Sequence, residues 1–270
     1  MQNYEMMVVD LDGTLLNSKS RLETATKSIL QRCMEQGKKI VICSSRSYEE
    51  LRIIAEELYE GCQSQYCIGF GGAASYTQDG VCIVKADSIE KTTARRMIML
   101  AENSHIHIHG YDENILYYYR RTKEFETFVD FADVADIPMR QITYEDFLEK
   151  DYLKLMCLGE MMKLEEYNRD VSTLASTAFS NPAGQQGYLD MIHSKASKGA
   201  GVEQLCHYLE IPMEQCICVG DGENDISMLQ KAGLGVAMKN GTDSAKTAAD
   251  YIVPYSNDEN AIGYLAERFL

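Results

Sequence analysis

The stretch Met6-Met7-Val8-Val9-Asp10-Leu11-Asp12-Gly13-Thr14-Leu15-Leu16 decides how this chain is read. An apolar run ends in two carboxylates at i and i+2, followed at once by Gly-Thr. A run of this kind, without alternation, is the buried strand of a parallel sheet covered on both faces. Carboxylates at the mouth of such a strand repel each other and lie against an apolar interior. No basic residue lies within the stretch to offset them. A hard cation such as Mg2+, which takes oxygen ligands and keeps several waters, meets that need.

The pattern returns in Cys216-Ile217-Cys218-Val219-Gly220-Asp221-Gly222-Glu223-Asn224-Asp225. Either Asp-Gly alone reads as a strand-ending turn. Together, two acidic strand ends predict one divalent site at the carboxyl edge of one sheet, where open α/β sheets bind ligands. A calcium loop needs Gly at its sixth and Glu at its twelfth position. Counting from Asp10 the twelfth residue is Arg21, and counting from Asp221 the sixth is Ile226, which excludes an EF-hand.

The rest of the chain supplies the sheet. Helical patterns over 21–37 and 48–58, the second capped by Ser47, alternate with strands over 39–43 and 65–70. After Lys198 the alternation resumes, with helices over 199–209, 224–232 and 243–249 and strands over 216–220, 234–237 and 251–253. This rhythm predicts an α/β fold with a doubly wound, Rossmann-like parallel sheet. Between the two halves the pattern becomes mixed. A helix over 88–103, a hairpin of 106–110 with 115–120, a strand over 153–159, a helix over 164–174 and a strand pair of 178–181 with 187–192 read as an inserted α+β domain. The expected division is 1–83 and 187–270 for the core and 84–186 for the insertion.

Composition narrows the function classes. The 270 residues carry 26 Lys+Arg against 41 Asp+Glu, a formal charge of −15. A surface this acidic repels nucleic acid and anionic membrane. Nine cysteines include no C-x-x-C pair, and several sit in apolar runs as small hydrophobes. With no signal-peptide pattern and no apolar stretch near eighteen residues, a reducing cytoplasm is the expected setting.

Four strand-end features converge on one chemistry. They are the acids Asp10 and Asp12, the acids Asp221 and Asp225, the hydroxyl of Ser44 in Ser44-Ser45-Arg46-Ser47, and Lys198. Phosphoryl transfer needs such a set. Its transition state spreads negative charge over equatorial oxygens, so catalysis is mostly positioning and charge stabilisation. One carboxylate can attack phosphorus, and a second can protonate the leaving alcohol and then deprotonate water.

On these motifs the chain resembles the haloacid dehalogenase superfamily, and within it the Cof-type phosphatases with a C2B cap. The resemblance spans essentially the whole chain. It implies Asp10 as nucleophile, Asp12 as general acid/base, and Ser44 and Lys198 as phosphoryl ligands. It further implies Mg2+ held by the Asp10 carboxylate, the Asp12 main-chain carbonyl and Asp221. Asp225 would orient metal-bound water or supplement the ligands, and Asn224 would contact Lys198 or the phosphoryl group. The expected reaction is hydrolysis of a small phosphorylated metabolite, such as a sugar phosphate or a nucleotide- or cofactor-like monoester, with the cap setting selectivity.

The chain departs from the family pattern at Ser44-Ser45-Arg46 (usually Thr-Gly-Arg), Gly71-Gly72-Ala73 (usually Asn-Gly-Ala) and Met238-Lys239-Asn240-Gly241 (usually Met-Gly-Asn-Ala). Arg46 either contacts substrate or pairs with Glu49 or Glu50, and Gly72 stands where a substrate contact is often made. In His105-Ile106-His107-Ile108-His109, the alternation predicts a strand with Ile facing the cap core and His facing outward. A zinc site, or a His107 that roofs the active site and touches substrate, are the alternatives. A phosphomutase of the same fold and a receiver-like phospho-acceptor remain open. A dehydrogenase does not, because Gly69-Phe70-Gly71-Gly72 lacks the G-x-G-x-x-G spacing.

Overall fold

The computed structural model describes residues 4–131, 137–180 and 187–270. The chain divides into two units, Met1–Lys85 with Ser197–Leu270, and Ala86–Ala196.

The first half of the discontinuous unit runs β1 (Met6–Asp10), α1 (Thr24–Glu35), β2 (Lys39–Cys43), α2 (Tyr48–Leu58), β3 (Tyr66–Gly69), β4 (Ala74–Thr77) and β5 (Cys82–Lys85). Helix α2 starts where Ser47 was expected to cap it. The Ser47 hydroxyl accepts the Glu50 N–H, and the Glu50 carboxylate accepts the Ser47 N–H at 2.7 Å, a reciprocal capping box. All five residues of β1 are buried, as its unbroken apolar run requires.

The inserted unit holds α3 (Lys91–Asn103), β6 (His107–Tyr111), β7 (Leu116–Tyr118), α4 (Lys123–Phe131), β8 (Met139–Gln141), α5 (Tyr144–Glu149), β9 (Lys154–Gly159), α6 (Met161–Val171), β10 (Ser176–Ser180) and β11 (Gly187–Ile192). The chain then returns through α7 (Lys198–Leu209), β12 (Cys216–Gly220), α8 (Ile226–Lys231), β13 (Leu234–Ala237), α9 (Asp243–Ala248), β14 (Tyr251–Ile252) and α10 (Ala261–Phe269).

The first unit's sheet has the order β14-β13-β12-β1-β2-β3-β4-β5. The six strands from β14 to β3 are parallel, and β4 and β5 close one side as an antiparallel edge. The chain winds outward from β1 through β2 and β3, and later from β12 through β13 and β14 on the other side. The boundary between β1 and β12 is therefore the topological switch point, where open α/β sheets leave a crevice for ligands.

The inserted unit's sheet has the order β10-β11-β9-β6-β7-β8 and is antiparallel except for the β7–β8 pair. This corrects the expected boundary at 187. Strand β11 pairs with β9 and β10, so its hydrogen bonds and the apolar side chains Leu189 and Met191 belong to the inserted unit. The part of the expected strand pair at Asn181 lies outside the described residues.

The outward-facing histidines are also corrected. Ile108 packs in the inserted unit's core with Leu155, Cys157, Phe147 and Leu164, as alternation predicts. His107 and His109 point to the opposite face and are buried too, beneath α4. The His107 ring stacks on Phe125 at 4.7 Å between centroids, and the His109 ring lies 5.1 Å from Phe128. Alternation gives the side of the sheet, but whether a helix covers that side is tertiary. His105 precedes the strand at a φ of 54° and is exposed, so the three imidazoles do not share a face.

No helix among the described residues is long and apolar enough to cross a membrane. All nine cysteines are free.

Candidate active site

Strand register brings the acidic ends to one edge. Val9 pairs with Val219 and Asp10 with Cys43. Asp10 thus ends its strand one position before Asp221 follows β12 on one side and Ser44 follows β2 on the other.

Lys198 joins these ends. Its ammonium is 1% exposed and donates to Asp10 Oδ1 and, at 2.5 Å, to Asp225 Oδ1. Asp225 is fully buried, and its Oδ2 accepts the N–H groups of Asp221 at 3.0 Å and Gly222 at 2.8 Å. This carboxylate holds both the lysine and the turn that carries Asp221. Asp221 is half-buried and accepts the Thr14 hydroxyl at 2.9 Å.

The electrostatics follow from crowding. Burial and then the charge of Asp225 push the Asp10 carboxyl well above the ordinary range, with Lys198 opposing. Burial and Asp225 also raise Asp221, against the Thr14 hydrogen bond. Burial alone would lower Lys198, but the charges of Asp10 and Asp225 outweigh it and hold the ammonium protonated.

Backbone packing sets these positions. Ser197 caps α7 by accepting the Ala200 N–H on its hydroxyl at 3.2 Å, which makes Lys198 the first helical residue. Gly72 lies directly beneath, at a φ of +101°, and a Cβ there would sit 2.0 Å from the Ser197 carbonyl oxygen. Gly72 packs against the segment that carries Lys198. Gly13, at a φ of +81°, leaves room for the Asp221 carboxylate, which a Cβ would meet at 2.6 Å.

The folded chain gives the remaining candidate residues the following neighbours. Arg46 pairs with neither Glu49 nor Glu50. Its Nε donates to Asp12 Oδ2 at 3.0 Å and its Nη2 to Asp12 Oδ1 at 2.7 Å. Asn224, expected against Lys198 or the phosphoryl group, is exposed; Lys198 is held by Asp10 and Asp225 instead of by Asn224. His107 lies within the inserted unit's aromatic layer. Ser44 is buried at the end of β2, where its hydroxyl accepts the Arg46 N–H at 3.3 Å.

Several supporting residues escaped the sequence reading. Thr14 braces Asp221, Asn240 donates to the Gly13 carbonyl at 2.8 Å, and Thr242 N–H donates to the Asp221 carbonyl at 2.8 Å. Thr14 stands in the opening motif and could have been assigned. The pairing of Asn240 with Gly13 spans most of the chain and carries no local signal.

Residues 7–265 match the haloacid dehalogenase-like hydrolase family. The chain belongs to that family. The phosphatase YwpJ of Bacillus subtilis is 26% identical over 289 residues, covering 98% of this chain and 100% of that protein. A haloacid dehalogenase-like hydrolase from Bacteroides thetaiotaomicron superposes with a TM-score of 0.83 at 23% identity, over 99% of this chain and 100% of the other. A Thermotoga maritima structure superposes with a TM-score of 0.81 at 21% identity, over 99% and 98%. These two likenesses speak to the fold.

In this haloacid dehalogenase-like hydrolase the acids suit a metal. Asp10, Asp221 and Asp225 each offer an oxygen, all within 4.8 Å of one another. Three carboxylates against one lysine leave negative charge in a buried place, and two of them resist ionisation. An all-oxygen donor set of this kind fits a hard divalent cation. Among the described residues, no histidine or cysteine joins a metal-capable cluster.

Proposed function

We propose that this hydrolase is a Mg2+-dependent phosphatase of small phosphomonoesters that works through an aspartyl-phosphate on Asp10. The observation that carries the reading is the buried contact of Lys198 with Asp10 and Asp225, beside Asp221, at the switch point of the sheet. Two carboxyls held above their ordinary range, Asp10 well above it, and a buried lysine in one crevice mark a site of chemistry rather than of packing. The name of the relative YwpJ supports the same class.

Asp10 and Asp221 would hold Mg2+ with the Asp12 main-chain carbonyl, while Asp225 anchors Lys198 and the 221–222 turn behind them. Bound there, the cation supplies charge neutralisation for the transferring phosphoryl oxygens. The Asp10 carboxylate attacks phosphorus, and the ester oxygen leaves with a proton from Asp12. Asp12, now ionised, takes a proton from water as that water attacks the aspartyl-phosphate. Inorganic phosphate departs and both carboxyls return to their starting states. Lys198 offsets the charge of the phosphoryl group, and the Ser44 hydroxyl donates to one of its oxygens.

The substrate is a small phosphorylated metabolite rather than nucleic acid or a membrane lipid, in keeping with the −15 charge. Nine free thiols suit a reducing cytoplasm.

The test is phosphate release across a panel of phosphomonoesters with and without Mg2+, joined to acid-quench trapping of phosphoryl on the Asp10 peptide. Continuous Mg2+-dependent release with label on Asp10 is expected. One phosphoryl per chain without turnover would indicate a phospho-acceptor, and transfer to a sugar hydroxyl without free phosphate a mutase.

A further inference from the structure

The contact between Arg46 and Asp12 has a geometry that stability does not explain. Both carboxylate oxygens of Asp12 are held by one guanidinium, through Nε at 3.0 Å and Nη2 at 2.7 Å. The partners sit on different loops, after β1 and after β2. The Asp12 side chain is 54% exposed and that of Arg46 33% exposed, so as an ion pair it stabilises the fold little. A two-point fork does something else, because it fixes the plane and direction of a carboxylate.

Arg46 is itself held. Its N–H donates to the Ser44 hydroxyl at 3.3 Å, and its carbonyl accepts the Phe70 N–H at 2.8 Å. The nearby acids are engaged elsewhere, Glu49 with Arg52 and Glu50 with Ser47. The guanidinium therefore projects from a braced backbone toward one carboxylate.

We propose that Arg46 is a positioning residue that holds the Asp12 carboxyl in the orientation from which it transfers protons, an inference that rests on the acid/base reading of Asp12. Arg46 makes and breaks no bond in the reaction. Its effect is on the direction of a flexible, exposed side chain, and misplacing a reacting group by about 1 Å can cost on the order of 10²-fold in rate.

The experiment compares wild type, Arg46→Ala, Arg46→Lys, Asp12→Asn and the Arg46→Ala/Asp12→Asn double variant. Substrates are an alkyl phosphate and a nitro-substituted aryl phosphate, whose leaving group needs no proton. Arg46→Ala should lose about 10–10²-fold in kcat on the alkyl phosphate and only a few-fold on the aryl phosphate. Arg46→Lys, which keeps charge but not the fork, should fall between wild type and Arg46→Ala. In the Asp12→Asn background Arg46→Ala should add less than about twofold, because coupled residues are non-additive. Equal losses on both substrates, full additivity, or a loss confined to KM would overturn the positioning role, the last marking Arg46 as a phosphate clamp. A leaving-group effect for Asp12→Asn with none for Arg46→Ala sinks this inference alone. Wild type without turnover on either substrate removes the reading of Asp12, and this inference with it. Circular dichroism of each variant separates these outcomes from misfolding.

Discussion

Gly72 and Ser197 meet backbone to backbone. A Cβ on Gly72 would lie 2.0 Å from the Ser197 carbonyl oxygen and 2.9 Å from the Lys198 nitrogen. The two residues flank the inserted unit in sequence, yet they pack together within the first unit. The loop after β3 thus forms the seat on which α7 begins, and the first residue of α7 is the buried lysine.

Gly72→Ala should therefore act twice. The new methyl clashes with backbone that cannot rotate away, and the φ of +101° is strained for any L side chain. We expect a loss of about 1–3 kcal/mol in urea unfolding, typical of overpacking. Phosphate release should fall as well, because Lys198 shifts with its helix. An alanine variant with wild-type stability and activity would mean that the loop yields freely.

Asp10→Asn should abolish turnover without unfolding the chain. Ionised Asp10 is unfavourable where it sits, through burial and the charge of Asp225, and Lys198 keeps Asp225 as a partner in the variant. The melting temperature of the metal-free variant should equal or exceed that of wild type. Deamidation must be excluded by mass. Near-normal phosphate release would end the nucleophile assignment.

Mg2+ should stabilise the protein more at pH 8 than at pH 5. Asp10 and Asp221 have folded-state pKa values above the unfolded value of 3.8. Their contribution to stability is present in full below 3.8 and is lost as pH rises through the raised folded values. A cation that binds the ionised pair reverses that loss, by about 2.7 kcal/mol at a hundredfold excess over its Kd. Thermal melts at both pH values, with and without MgCl2, measure the difference. Equal shifts at the two pH values would contradict the linkage.

His107 and His109 predict acid sensitivity of the inserted unit. Burial lowers His107 to about 3, with Arg120 adding to the effect, and burial holds His109 well below the ordinary value of 6.5. Both ring nitrogens of His107 and the Nδ1 of His109 lack a hydrogen-bond partner, so nothing accepts from a charged His107 ring, and His109 meets only the Tyr111 hydroxyl, at 3.3 Å from its Nε2. In the unfolded chain both protonate near 6.5, so stability falls as pH drops below that value, by up to about 1.4 kcal/mol per pH unit for each histidine. His107→Leu should flatten the slope between pH 6.5 and 5 by one proton's worth. An unchanged slope would show that His107 accepts its proton in the fold.

Much of this architecture could be read from local pattern. The unbroken run before Asp10 marked a strand buried on both faces, and β1 is one. Ser47 marked the start of α2 because a capping box is built from residues three apart. The stop near Val253 overlooked α10, although Ile262, Leu265 and Ala266 already carry helical spacing. The acids, the serine and the lysine could be named because their residue types suit one chemistry. Their partners could not.

The sequence by itself determined which segments become buried strands and amphipathic helices, and which residue types stand at the strand ends. Period and capping are properties of neighbours in the chain, and those were in plain view. Only the tertiary structure decided that Arg46 turns to Asp12 rather than Glu50, and that Asp225 rather than Asn224 takes Lys198. It alone decided that α4 covers His107, that β11 belongs to the inserted sheet, and that Gly72 seats the lysine's helix. Each is a contact between residues remote in sequence. Which of several chemically similar partners a side chain meets depends on register, winding and close backbone packing, and none of these is written in the residues near it.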